Sequence, residues 1–522
     1  MKSLIRRKEP SEKKEGPGAL SAKLSFIPVV LYCVGGVIGA GIFGTPGEIM
    51  RSHTGPAVVF SYIVAGLACG ITASCYADFA SRFPSAGGSY AYVYASLGEF
   101  CAWIAAIGNT FEYALSGAAV ARLWSKSLIE LVPFLAKLTF DFGKDAVFAP
   151  DLFAPLICFL MMCVCLLGVQ TSTKFSAGLT VLNVSIIAFI LIYGGVKKVE
   201  AKNYDGIFAV SLANIFRGAS TAVFSFIGWD SGCVLSEEVQ NPTKTIPKVL
   251  YTALSILTVI FSAMVFVLSG MVTKDSVSRE TAFMTAFNGD TFARTLIGVV
   301  ILLCCTNGTY ACTQAQPRVW LSVARDGLLP KKFYFLSEDT ATPKFSIIIT
   351  GLLMITVSCL FDFKLVEAAT TASFLLVQAL VCLGCLVMRG EQMGGHGNKK
   401  VAISRWLAIL AGICSLIGAA FFVVTGDNSD EQWKNTCSTA MLPFFILAAL
   451  AAFVSGIVSP AKKRDVIIPL IALLVNFFLV GIAGFLQLGI LVGIVAAFSI
   501  IYFTYGIRHS TLNFDQVSAS NK

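Results

Sequence analysis

Three glycines, Gly36, Gly39 and Gly41, fall in the segment Gly36-Val-Ile-Gly-Ala-Gly-Ile-Phe43, inside an apolar stretch long enough to cross a bilayer. Each costs a helix roughly 1 kcal/mol relative to alanine. A helix opened there also bares peptide N–H and C=O groups that hydrocarbon cannot satisfy. The chain must therefore bring something other than lipid to that backbone. A second weak point, Phe224-Ser-Phe-Ile-Gly-Trp-Asp230, lies in another apolar stretch. Paired, glycine-interrupted segments of this kind point to a midplane binding site in a transporter.

Hydrophobic residues make up 56% of the 522 and charged residues 13%, about half the charged share of a soluble domain. The apolar stretches fit helices of about 20 residues rather than the alternating strands of an outer-membrane barrel. The expected class is an all-α polytopic membrane protein with about 14 transmembrane helices. Their centres fall near Leu31, Ile63, Ile107, Leu160, Ile187, Val223, Val259, Val299, Leu352, Leu376, Leu410, Leu447, Leu473 and Val495. The third, from about Tyr90 to Leu123, is long enough to tilt or project from the bilayer. An even number of spans puts both termini on one side. About 25 of the 39 Lys and Arg residues fall on that side, which the positive-inside rule makes cytoplasmic.

The net charge of +9 thus reads as topology, with some attraction to anionic lipid heads. No basic stripe on a soluble module suggests nucleic-acid binding. The first 24 residues lack the short apolar core of a cleavable signal. The expected organisation is a disordered cytoplasmic tail over 1–24, a transporter core of ten spans over 25–390, four accessory spans over 391–510, and a second disordered tail over 511–522. The plasma membrane is the expected location, an organelle membrane the alternative.

The sixteen cysteines sit mostly inside apolar stretches, where they act as small hydrophobes; in that context Cys382-x-x-Cys385 does not read as a redox or zinc motif. His53, His396 and His509 lie near stretch ends or in loops, and nothing forms a metal-protease pattern. The first-span glycines imitate a nucleotide loop, but no strand precedes them and no P-loop lysine follows. No enzyme activity, cofactor or metal is expected. Asn183 and Asn307 begin N-x-S/T triplets, yet both fall within spans, so glycosylation is not expected there.

A first span opened at these glycines restarts as a half-helix near Ile42, with free N–H groups and a positive dipole end that suit a carboxylate. The other reading is close helix packing through Gly35-x-x-x-Gly39. At the second weak point, Gly228 interrupts an aromatic run, and the carbonyls of Phe224, Ser225 and Ile227 are placed to accept from an ammonium group. Asp230, ionisable at membrane depth, is functional by default or caps the following half-helix. One opening for a carboxylate and one for an amine describe the backbone end of an α-amino acid. Glu237 and Glu238, near the inner end of this span, form a gate through ion pairs or a solvated helix end.

These segments resemble the amino acid–polyamine–organocation transporters, and within them the cationic amino acid transporter branch. The resemblance runs through GVIGAGIFGTPG from Gly36, DFASRFPSAGGSYAYVYASLGE from Asp78 to Glu99, FSFIGWDSGCVLSEEVQNPTKTIPK from Phe224 to Lys248, and PRVWLSVARDGLLPKKF from Pro317 to Phe333. It implies a LeuT-like fold, a 5+5 inverted repeat with substrate between broken spans one and six. It gives the N–H groups of Ala40 and Gly41 to the substrate carboxylate, with Gly39 beside them at the break. The carbonyls of Val37, Ile38, Phe224, Ser225 and Ile227 go to the amine. Phe224 becomes an aromatic lid, and Asp230 lines or stabilises the pocket.

Glu112 matches an acidic position on the pocket side of the third span, to pair with a cationic side chain or, alternatively, with Arg122 or a water. Asn183 falls where proton-coupled relatives carry a lysine and sodium-dependent ones bind a cation; an asparagine there implies facilitated diffusion. Lys174, expected at the cytoplasmic end of that span, does not substitute. Cys312 replaces a small serine of the cationic branch, and Gln314 and Gln316 also depart from the family's usual run. The resemblance implies alternating-access transport of a cationic L-amino acid, arginine or lysine. A neutral or broad-range permease, proton-coupled or not, and a non-transporting amino acid sensor remain alternatives. The expected partners are a small-molecule amino acid and membrane lipid; the oligomeric state is open.

Overall fold

The computed structural model describes residues 6–8, 24–85, 87–138, 150–167, 178, 180–185, 187–337, 342–394, 398–427, 431–459, 463–483 and 485–511. Gly168, Val169, Lys174 and most of the two expected tails lie outside them. The described chain is all-α; Leu24 and Val239 form an isolated parallel bridge. Every expected span centre falls on helical backbone. Among the described residues, 8 helices are long and apolar enough to cross a membrane, and shorter apolar helices such as Phe26–Val37, Phe153–Leu166 and Lys344–Leu360 accompany them.

The first span is two helices, Phe26–Val37 and Ala40–Ile49; the second is Val58–Arg82. The expected long third stretch is divided. A helix Ser89–Leu97 stops at Gly98, whose φ of +101° favours glycine, and a new helix runs over 99–131, with a π-turn at Phe111–Leu115. The fifth span is Thr180–Lys197. The sixth is Leu212–Ala222, a 3-10 turn and the short Ser231–Val234; the seventh, eighth and tenth are Pro242–Met271, Thr291–Arg325 and Phe363–Gly394. Local signals fix several ends. Pro242 opens the seventh span from Asn241, held in the left-handed region, and the Asp290 carboxylate caps the eighth by accepting from Ala293 N–H at 3.0 Å.

The main core gathers apolar side chains from these spans, including Phe43, Tyr62, Phe226, Phe261 and Phe283. A smaller cluster of Ile157, Cys158, Met161, Tyr310 and Met354 packs the third and eighth spans against the helices Phe153–Leu166 and Lys344–Leu360. Large apolar side chains left exposed, such as Leu67, Val259 and Phe453, belong to a perimeter suited to lipid.

Both ends of the described chain meet at one carboxylate. Glu99, fully buried, accepts from Tyr94 at 2.9 Å, Tyr502 at 2.9 Å and Ser510 at 2.6 Å, and pairs with Arg6 at 3.4 Å. Arg7 and Lys8 beside it pair with Glu391 and Asp326, each at 2.5 Å. On the same side Arg318 binds Glu238 at 3.0 Å and Arg325 binds Glu237 at 3.5 Å, so of the two readings of this acidic pair the ion-paired one describes the structure. Replacing Glu99 by alanine takes the acceptor from three hydroxyls and the carboxylate from Arg6, and is expected to cost about 3 kcal/mol. Thermal unfolding in detergent should show a lowered midpoint for Glu99→Ala and a smaller drop for Glu99→Gln, which keeps an acceptor.

Candidate functional site

The two weak points in the sequence are the two places where membrane helices open. The first helix ends at Val37, the chain runs extended through Ile38 and Gly39, and the helix restarts at Ala40. In the sixth span the helix tightens into a 3-10 turn, Val223–Phe226. It then opens at Ile227 and turns at Gly228, whose φ of +96° is the left-handed backbone that favours glycine. The openings touch: a Cβ built on Gly41 would overlap the Ser225 backbone. Beside this contact the Thr45 hydroxyl donates to Gly41 O at 2.6 Å and lies 2.8 Å from Tyr62 Oη and 3.0 Å from Ser225 Oγ. Gly35 and Gly39 divide the two readings of this segment between them. Gly35 packs tightly on Thr180 of the fifth span, whereas Gly39 sits at the opening itself.

A cavity lies between the openings. The first span lines it with Tyr32, Gly36, Val37, Gly39 and Gly41, and the sixth with Phe224, Ile227, Gly228 and Ser231. Opposite stand Tyr113, Ser116 and Val120 of the third span and Gly308, Ala311, Cys312 and Ala315 of the eighth. Phe224 packs edge-on against Phe363 of the tenth span, centroids 6.0 Å apart. Of the residues expected at a site, Val37, Gly39, Gly41, Phe224, Ile227 and Cys312 line this cavity; Ile38, Ser225, Glu112, Asp230 and Asn183 do not, and the side chain of Ala40 lies outside the described ones. The Phe224 carbonyl accepts from Ile227 N–H at 3.2 Å.

Glu112 and Asp230 lie one layer behind the wall. Their chain neighbours Tyr113 and Ser231 line the cavity, and the two buried carboxyl groups meet each other within hydrogen-bonding reach. No donor from another described residue reaches either oxygen of Glu112 or Oδ1 of Asp230. Arg122, the alternative partner for Glu112, instead engages Asp151 at 3.5 Å and the Cys359 carbonyl at 3.3 Å. Asp230 makes no capping bond to the half-helix after it. Glu112 sits in the π-turn of the third span, a distortion common at functional sites. Two carboxylates in contact repel unless a proton or a cation lies between them, so this pair is built for one or the other.

The sequence profile for amino acid permeases matches residues 24–446. The chain belongs to the amino acid permease family. Its relatives include the Arabidopsis thaliana protein named cationic amino acid transporter 4, vacuolar, 33% identical over 74% of this chain and 67% of that one. The methylthioribose transporter of Bacillus subtilis (strain 168) is 30% identical over 79% and 92%. Mouse (Mus musculus) cationic amino acid transporter 4 is 25% identical over 98% and 91%. The chain thus spans about two thirds of the first of these relatives and most of the other two. All three are transporters by name, and this chain is a multi-pass membrane protein of their family rather than an enzyme.

The remaining departures from the family pattern are accounted for by their contacts. In this permease Cys312 is small and lines the cavity, as Ser116 does. Gln314 and Gln316 do not line the cavity. Gln314 accepts from Arg318 through its carbonyl at 2.9 Å and its side chain at 3.3 Å. With its amide oriented to suit its neighbours, Gln316 accepts from Thr110 and Trp320, each at 2.8 Å, and donates to the Asn109 carbonyl at 3.0 Å. Asn183 is fully buried, and neither of its amide atoms has a hydrogen-bond partner among the described residues. Sequence reasoning missed Tyr32, Tyr113 and Ser116 as wall residues and Tyr62 as the anchor of the Thr45–Ser225 hydroxyl cluster. Tyr113 carried a signal, being adjacent to Glu112. No group of His, Cys, Asp and Glu side chains able to hold a metal occurs among the described residues.

The Gly41–Ser225 contact yields a direct test. Gly41→Ala forces a methyl into the sixth-span backbone, an overpacking cost of about 1–3 kcal/mol. The variant is expected to insert normally and to lose substrate-induced thermal stabilisation, whereas Gly493→Ala, at a helical glycine with open space around it, should keep it.

Proposed function

We propose that this permease carries cationic L-amino acids, arginine and lysine, by alternating access and facilitated diffusion, with both termini cytoplasmic. The observation that carries the reading is the Glu112–Asp230 pair: two buried carboxyls with no basic partner among the described residues, one layer behind a cavity set between two opened helices. The N–H groups at Ala40 and Gly41 begin a helix and suit the substrate carboxylate. The carbonyls of Val37, Ile38, Ser225 and Ile227 suit its amine, with Phe224 as the lid. A guanidinium or ammonium reaching past Tyr113 then supplies the cation that the carboxyl pair calls for.

The plant and mouse relatives named as cationic amino acid transporters support the same substrate class. The vacuolar plant relative supports an organelle membrane, the alternative to the plasma membrane. A rival reading, a permease of neutral or broad range, draws on Cys312 and on the bacterial relative named for methylthioribose, which has no ammonium group.

Uptake by proteoliposomes separates the two. Labelled arginine should enter faster under a negative-inside potential, which drives a cation by about 2.3 kcal/mol per 100 mV, and excess lysine should compete better than leucine. Glu112→Gln and Asp230→Asn each remove a charge-assisted contact worth about 1.5–3 kcal/mol. The resulting loss in arginine kcat/KM should be about 10- to 100-fold, with leucine entry little changed. Leucine competing as well as lysine, or an arginine flux indifferent to potential, would sink the cationic reading.

A further inference from the structure

The opening of the first span leaves a carbonyl that its own helix no longer serves. Ile38 N–H still bonds Val34 O at 3.0 Å, but the next donor along that ladder, on Gly39, has left the helix, so Gly35 O is one of the orphans of a broken end. Asn307, fully buried in the eighth span, meets it. Its side-chain Nδ2 donates to Gly35 O at 3.1 Å and lies 3.4 Å from Thr180 Oγ1 of the fifth span. Thr180 is itself pressed onto Gly35, where an added Cβ would overlap its hydroxyl. Gly36 and Val37, the next two residues, line the cavity. One uncharged amide therefore ties the opened end of the first span to two other spans, one residue from the candidate substrate site.

An orphaned carbonyl at membrane depth is met by a donor or by a cation. A cation arrives and leaves, and makes the shape of the opening depend on ion concentration or pH. A covalently held amide does neither, since it carries no charge and does not titrate. We propose that Asn307 is a positioning residue that holds the broken first span in its binding shape in place of a bound ion, so that turnover needs no co-ion here. The inference rests on the permease reading above and extends it to coupling.

Asn183, three residues after Thr180 and so on the same face of the fifth span, adds a second buried uncharged amide. The surrounding titratable groups are few. On the first span Tyr32 faces the cavity, and Cys33 accepts from Ser231 of the sixth at 3.7 Å. The fifth span has none between Thr180 and Phe189, and the eighth contributes the buried thiols of Cys304 and Cys305.

The test uses the full chain in proteoliposomes with saturating labelled arginine, so that maximal flux rather than KM is read. Wild-type flux should be unchanged when sodium is replaced by choline, and should vary by less than about twofold between pH 5.5 and 8. Asn307→Ala removes the donor and should lower flux about tenfold at both pH values. Asn307→Asp has the same shape but donates to Gly35 O only when protonated. Its flux should approach wild type at pH 5.5 and fall about tenfold at pH 8, a profile that a space-filling role would not create. Asn307→Ser, a shorter donor, should lie between wild type and alanine and serves where the alanine variant fails to insert.

Sodium-dependent wild-type flux, wild-type kinetics in Asn307→Ala, or a wild-type pH profile in Asn307→Asp would each overturn the proposal. A wild-type protein that moves leucine but not arginine would sink only the cationic reading, and the Asn307 series would then be read with leucine.

Discussion

Lipid offers no hydrogen bonds, and every peptide group that leaves a membrane helix must find a partner inside the protein. This chain opens two helices and lets the openings meet. At the point of contact Gly41 has no side chain because the Ser225 backbone occupies its place. Around the contact, the hydroxyls of Thr45, Tyr62 and Ser225 bond one another, and the Asn307 amide takes up a carbonyl that the first span gave up. Between the supported breaks lies a cavity with no lysine or arginine among the described residues that line it.

The breaks could be read from the chain because glycine at that density weakens a helix just where lipid most demands one, and Gly228 is where the backbone turns left-handed. The helical class and the span centres could be read for the related reason that apolar length is a local property. What depended on distant neighbours could not be read. Glu112 and Asp230 each stand out in the chain as an acid at membrane depth, but nothing local says that one faces the other or that Arg122 belongs to Asp151. The π-turn under Glu112 and the stop at Gly98 arise from how the third span packs. Asn307 stands out in the chain only as a glycosylation triplet, since its role depends on a carbonyl 272 residues away in sequence.

Burial arranges the charges in two ways. On the side of the chain ends, acids and bases are matched across helices: Glu238 with Arg318, Glu237 with Arg325, Glu99 with Arg6. Behind the cavity they are not matched, and two acids share one place. An ion pair lacking one partner is a costly structural element and a useful binding element, because the missing charge can come from outside. The contrast within one molecule separates contacts that hold the fold from the pair on which the proposed cation site rests.

The cluster around Glu99 also bears on where the working unit begins. The family match starts at residue 24, yet Arg6, Arg7 and Lys8 reach back to carboxylates at the ends of the third, eighth and tenth spans. A chain trimmed to the family's own boundary would keep the cavity between its opened helices and lose the tethers that clasp the ends of three spans together.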